Sequence, residues 1–193
     1  MKGRKHALAA LFLALGTSAI VLVGASVGSA KSQAAFKAAW IYVGPHNDGG
    51  WSQAHDQGRL MVQKALGDSV QTTFKENIPE GPQVAQVIDS LVRDGNKIIF
   101  ATSFGFQPAM IAEAKKHPDV FFEMATGTAQ SKNMAEYFGA GEDAIYLSGM
   151  TAGAAATCGT IGYVVPFAIP EVIRHANAFA LGARRRIPAS RSS

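Results

Sequence analysis

The chain has 193 residues, 48% of them hydrophobic and 17% charged, with 20 Gly, 8 Pro and a single Cys. This balance excludes a disordered chain and a collagen-like fibre. One thiol excludes an internal disulfide framework, and the length allows one or two domains. The net charge of +4 is a matter of the two ends. Lys2, Arg4 and Lys5 lie at the start, and Arg185, Arg186 and Arg191 at the finish. Setting those six aside leaves 12 basic against 14 acidic residues, a net charge of −2. A nucleic-acid binder carries a basic stripe on its folded domain, and this chain has none, so no nucleic-acid partner is expected.

Residues 1–30 run from a basic start through an apolar stretch, Ala7 to Val23, to small residues ending at Ala30. That order predicts a secretory signal peptide cleaved near Ala30, with the alternative of an uncleaved anchor. The only Cys, Cys158, is far from any lipid-attachment position, so the mature chain is expected to be periplasmic and not lipid-anchored. Cys158 itself reads as a small buried hydrophobe.

Beyond the signal, strands and helices alternate. Ala38–Val43 reads as a strand buried on both faces. Ser52 is placed to cap a helix that runs to Leu66, with Gly67 as its stop. Val70–Phe74 is β-branched and predicts a second strand. Val84, Val87, Ile88, Leu91 and Val92 recur at helical spacing and mark a helix over 82–94. Lys97–Thr102 predicts a strand, Gln107–Lys116 a helix and Val120–Met124 a strand. Met134–Phe138 reads as a short strand and Asp143–Thr157 as a Gly- and Ala-rich helix. Thr160–Val165 then predicts a strand and Glu171–Ala183 a helix, after which the pattern stops. The alternation implies an α/β fold, a Rossmann-like parallel sheet with helices on both faces. The abrupt stop after Arg184 suggests a longer α/β protein that has been cut or frame-shifted there.

Ligands of such a sheet bind outside the carboxyl ends of its strands. Three loops there combine Gly, small polar and aromatic residues: 44–52 with Asp48, Gly50, Trp51 and Ser52; 102–106 with Ser103, Phe104 and Gly105; and 166–170 with Phe167. Glycine admits a ligand close to the backbone, an aromatic face stacks on a flat ring, and Asp48, Ser52 and Ser103 can fix a polar edge. The set favours a planar, polar-edged small molecule. Phe106 reads as a packing plug, and Asp48 alternatively caps a turn. No phosphate loop, paired metal-ligand spacing or nucleophile elbow is present, so neither a metal nor a cofactor is expected. Asp48 with His55 is the one acid–base pair available to an alternative reading, an exported hydrolase of nucleosides or amides.

The stretches VGPHNDGGWSQAHDQGR (43–59), ENIPEG (76–81), TSFGF (102–106), PDVFFEMATG (118–127) and IGYVVPFAIPEVIRHANAFALGAR (161–184) together resemble the basic membrane protein family. These are substrate-binding proteins of ABC importers, similar to bacterial purine nucleoside receptors. The resemblance implies a type I periplasmic binding protein with two lobes, ligand clamped between them, a membrane permease as partner, a monomeric state and no catalysis. It assigns 36–159 to lobe one, 160–184 to the hinge and the first strand and helix of an incomplete lobe two, and 185–193 to an irregular tail. Trp51 looks like the lobe-one aromatic that stacks on a purine, Asp48 the acid three before it, and Ser52 the position where relatives often carry Asn. Ser103, Phe104 and Gly105 look like the second cleft loop and Phe167 like part of the first loop of lobe two. Trp at 51 is similar to the branch that takes free bases such as adenine. With most of lobe two absent, the further alternative is a truncated binding protein of little affinity.

Overall fold

A computed structural model describes residues 35–186. The expected signal peptide over 1–30 and the tail from 187 lie outside the described residues. Five strands, β1 (Phe36–Ile41), β2 (Val70–Lys75), β3 (Ile98–Ala101), β4 (Phe121–Ala125) and β5 (Met134–Tyr137), form one sheet. Every neighbouring pair is parallel, in the order β2-β1-β3-β4-β5. Five helices accompany them among the described residues: α1 (Trp51–Leu66), α2 (Gln83–Arg93), α3 (Gln107–Lys116), α4 (Gly141–Ala155) and α5 (Pro170–Arg186). The chain steps outward from β1 to β2 and returns to place β3 on the other side of β1, so the order reverses between β1 and β3. A crevice opens at such a reversal, at the carboxyl ends of the two strands.

The hydropathy pattern explains the layers. Ala39 and Ile41 of β1 join Ile99, Ala101, Phe122 and Met124 on one face of the sheet. The buried stripe of α2 (Val84, Ile88, Leu91) covers that face together with Phe106, Met110 and Ala114. On the other face Ala38, Trp40 and Tyr42 pack with Val70 and Phe100, Trp40 and Phe100 stacked at 4.5 Å between ring centres. A strand that is apolar on both sides, as β1 is, belongs in the middle of a parallel sheet. The Tyr42 hydroxyl donates to Asp56 of α1 at 3.1 Å, and Arg59 Nε closes the group on Asp56 at 2.7 Å. Burial, with the Asp56 charge second, pushes the Tyr42 phenol above its ordinary range. Asp56 therefore fastens α1 to the sheet.

Three expectations are corrected. Ser52 does not cap α1: it is buried in the first turn, and its Oγ accepts the Gly44 N–H at 3.3 Å. Asp48 does the capping, Oδ1 taking the N–H groups of Gly50 and Gln53 and Oδ2 that of Ser52 at 2.8–3.0 Å. Its carboxylate has two acceptor oxygens where a serine has one, so it satisfies three free N–H groups of the helix start. Thr160–Val165 forms no strand. A strand needs a ladder partner, and none of the five described strands offers this segment one, which leaves Val164 96% exposed. Cys158 is exposed rather than buried, three residues beyond α4, its thiol 3.4 Å from the Thr160 carbonyl. Gly67 does end α1, at a left-handed φ of 53° that glycine adopts without strain.

α4 and α5 lie backbone to backbone. A Cβ at Gly149 would overlap the Phe179 carbonyl, one at Gly153 the Ala183 carbonyl, and one at Gly182 the Tyr146 carbonyl. Three glycines thus set the helix separation, which no alanine would permit.

Two stability predictions follow from these contacts. Gly58→Ala on the exposed side of α1 meets nothing within 4 Å, so it gains helix propensity and stabilises by ~1 kcal/mol. Gly149→Ala gains the same propensity and still destabilises, by about 1–3 kcal/mol, because the new methyl strikes a backbone that cannot yield. Urea melts of both variants read the opposite signs. Asp48 gives the pH dependence: hydrogen bonds from Gln53, then Gly50, hold its carboxyl down from 3.8 to about 2. A carboxyl depressed in the folded state contributes fully above its unfolded pKa and loses that contribution as pH falls through the folded one. Asp48→Ala should lower Tm by a constant interval from pH 7 to pH 5, and the interval should close as pH falls from about 4 to 2.

Candidate functional site

Trp51 opens α1 at the carboxyl end of β1. Its indole Nε1 donates to the carbonyl of Thr102, the residue after β3, at 2.5 Å. Thr102 is itself fixed, its hydroxyl donating to the Ile41 carbonyl at 3.0 Å. His55, one turn along α1, meets the indole edge-on at 4.7 Å, and burial holds its imidazole below the ordinary pKa. Phe138, just past β5, lies nearly parallel to Trp51 at 6.3 Å between ring centres. The Trp51 side chain is therefore clamped along its polar edge while 38% of the residue stays exposed.

The second loop has its own fastening. Ser103 Oγ donates to Glu80 Oε1 at 2.5 Å, and the Gly105 N–H donates to the same oxygen at 3.1 Å. Glu80, from the β2–α2 connection, so pins the short turn Phe104–Phe106. Any side chain at 105 would overlap its carboxylate. Phe106 is fully buried beneath the turn, as a plug, while Phe104 faces the crevice.

These two loops form the floor of a cavity of about 380 Å³. Its roof is the irregular segment between α4 and α5, with Tyr163, Val165, Phe167 and Ile169, followed by Glu171 and His175 from α5. Thr126, after β4, and Phe138 close the side. Of the eight residues singled out in the sequence, Trp51, Ser103, Phe104 and Phe167 line this space. Asp48, Gly50, Ser52 and Gly105 stand behind the lining: Asp48 caps α1, Ser52 is buried, and Gly105 seats Glu80. Among the described residues no hydrogen bond or ion pair joins Asp48 to His55.

Sequence reading missed Phe138, Thr126, Glu171 and His175. Phe138 and Thr126 lie at strand ends, so the carboxyl-end rule could have found them. Thr126 carries a second mark, a φ of 64°, rare for a β-branched residue. Nothing in the sequence places the first turn of α5 over the ends of β3 and β4. A second cavity of about 280 Å³ adjoins the first and shares Thr126, Phe138 and Glu171 with it. Away from the crevice, Asp89, Glu113 and His117 bring ligand-type atoms within 4.8 Å of one another. Lys116 Nζ already sits 2.7 Å from Asp89 and 3.4 Å from Glu113, so the cluster is an ion network joining α2 to α3.

Comparison with known proteins places the chain in a family. Residues 35–190 fit the model of the ABC transporter substrate-binding protein PnrA-like family, Bmp. A purine-binding protein of Brucella abortus is 41% identical over 157 residues, which are 81% of this chain and 45% of that protein. A putative ABC transporter glucose-binding protein, TsgA13, of Haloferax volcanii is also 41% identical, over 76% of this chain and 37% of its own length. The chain thus spans less than half the length of these relatives. Among solved structures, solute-binding proteins of ABC transporter systems from Aeropyrum pernix and Conexibacter woesei share the fold. Their TM-scores are 0.69 and 0.57 at 19% and 23% identity. The matches cover 82% and 81% of this chain, and 45% and 51% of those chains. The chain is a member of the PnrA-like (Bmp) family of ABC transporter substrate-binding proteins.

Proposed function

We propose that this chain binds a flat, purine-like heterocycle in the 380 Å³ cavity and delivers it, outside the cytoplasm, to the permease of an ABC importer. One observation carries the reading: the Trp51 indole is pinned to Thr102 by its edge, and the cavity it borders has Phe104, Phe138 and Phe167 around it. Aromatic rings fixed at the edge and open at the face suit stacking. A polyhydroxylated sugar of the same volume needs a hydrogen-bond partner for most of its hydroxyls. Here the Thr102 and Ser103 hydroxyls already donate to Ile41 and Glu80. That leaves Thr126, Glu171 and His175 as the buried unpartnered polar side chains in a lining that is otherwise mostly aromatic and aliphatic, too few for a sugar. The Brucella relative's name as a purine-binding protein supports the same class, and the Haloferax relative's name supplies the rival, glucose.

No catalysis is part of the proposal. Both oxygens of Asp48 are occupied by backbone N–H groups, and His55 is packed between Trp51 and Tyr137. The hydrolase alternative therefore lacks a free acid–base pair. Binding instead shifts an open–closed equilibrium, the closed form being what a permease recognises.

Calorimetric titration with adenine, adenosine, inosine and glucose tests the class of ligand. A purine base or nucleoside is expected to bind and glucose not to. Trp51→Ala should weaken purine binding by about 1–3 kcal/mol, the usual loss of one base–aromatic stack. An isotherm unchanged by that substitution would remove Trp51 from the site. Release of free base from adenosine would overturn the non-catalytic reading.

A further inference from the structure

The wall shared by the two cavities carries polar atoms that none of the described residues satisfies. Glu171 is 8% exposed, and its Oε2 has no hydrogen-bond partner. Thr126 is 6% exposed, and its Oγ1 has none either. Both residues line both cavities. The cation best placed to answer Glu171 from its own helix, Arg174, is engaged elsewhere. Its Nε lies 3.3 Å from Glu142, and its guanidinium sits over the Phe138 ring at 6.0 Å. His175, also on the first cavity, has an unpartnered Nε2 whose nearest carboxylate, Glu142, is 3.9 Å away.

A buried polar atom without a partner costs free energy, and a carboxylate oxygen can only accept. Its missing partner must be a donor, and the occupant of the cavity is the available source. A threonine hydroxyl donates or accepts, so Thr126 can complement whatever stands beside that donor. The Thr102 and Ser103 hydroxyls on this cavity already donate to Ile41 and Glu80, and apart from His175 the remaining lining is aromatic and aliphatic, which restricts the donor to one polar edge of an otherwise flat molecule.

We propose that Glu171, with Thr126 on the same wall, is the specificity determinant of the cleft: it accepts a hydrogen bond from an amino group on the bound ring. The cavity thereby selects amino-substituted heterocycles over rings of the same shape that carry hydrogen or methyl at that position. The inference rests on the heterocycle reading above and extends it by naming the edge that is recognised. A site built around a buried hydrogen-bonding group rejects the analogue that lacks its partner far more strongly than an apolar pocket rejects a missing methyl.

The test uses the full chain and two matched pairs of probes in calorimetry, adenine with 6-methylpurine and 2-aminopurine with purine, together with glucose. In wild type the amino member of at least one pair should bind tenfold or more tightly than its partner. Glu171→Met, of similar size and without an acceptor oxygen, should reduce that ratio below threefold while leaving the Kd of the non-amino partner within threefold. Glu171→Gln restores an acceptor and should recover part of the ratio. Equal affinities within both pairs in wild type would overturn the proposal without any variant, as would a ratio that survives in Glu171→Met. If glucose binds and no purine does, the heterocycle reading falls and this inference with it. If purines bind without preference for the amine, only this inference falls.

Discussion

The crevice depends on a contact between two helix backbones. Gly149 and Gly153 of α4 receive the main chain of α5 at Phe179 and Ala183, and Gly182 receives that of α4 at Tyr146. Because α5 lies directly on α4, its first turn is carried over the ends of β3 and β4, where Glu171 and His175 meet Thr126 and Phe138. The roof hangs from the same contact, since Tyr163 stacks on the Phe179 ring at 4.5 Å between centres. A chain of touching groups therefore runs from Gly149 through Phe179 and Tyr163 to the cavity. Widening the helix pair by the radius of one methyl would lift the roof without altering any residue that lines it.

The floor follows another logic, in which acids support aromatics. Asp48 spends both carboxylate oxygens on the N-terminus of α1, the turn that presents Trp51. Glu80 spends one oxygen on two donors of the turn that presents Phe104. Each carboxylate sits behind the ring it steadies. Fixing the supporting loops before a ligand arrives reduces the ordering cost of binding, so that more of the stacking free energy reaches the affinity. Asp48, which looks like a ligand contact in the sequence, and Glu80, which carries no such mark there, both act on the geometry of the rings. The unpartnered acid of the roof, Glu171, stands as the complement to this arrangement.

How much could be read from the sequence depended on the range of the forces involved. The apolar stripe of α2 and the two-sided apolar run of β1 are local patterns, and both elements form there, β1 beginning and ending two residues earlier than the run Ala38–Val43. The carboxyl-end rule, applied to the element order, singled out Trp51, Ser103, Phe104 and Phe167, and these four residues line the cavity. What failed was non-local. Thr160–Val165 has every local mark of a strand, but a ladder is a property of two segments, and its partner is not among the described strands. Ser52 has the chemistry of a cap, but Asp48 four residues earlier holds the helix start, taking the N–H groups of Gly50, Ser52 and Gln53 with two oxygens. The glycines of α4 and α5 were legible as composition, whereas their purpose, close approach of one helix to another, is visible only when both helices are in view.

The two walls of the cavity accordingly differ in how they are held. The floor is part of the sheet: Thr102 bonds across to β1, and Trp51 bonds to Thr102, so a ring stacked there inherits the rigidity of the parallel ladder. The roof from 160 to 168 has no ladder and is secured by its continuity with α4 and α5 and by Tyr163 on Phe179. Stacking on the floor tolerates any flat ring, because every such ring has a face. Discrimination needs a directional contact at a fixed height above that face, and in this fold the groups able to make one, Glu171 and His175, are on the helix that the glycine contact holds in place. In the proposed function, affinity and selectivity thus belong to different walls, one anchored by strand pairing and the other by the absence of three side chains.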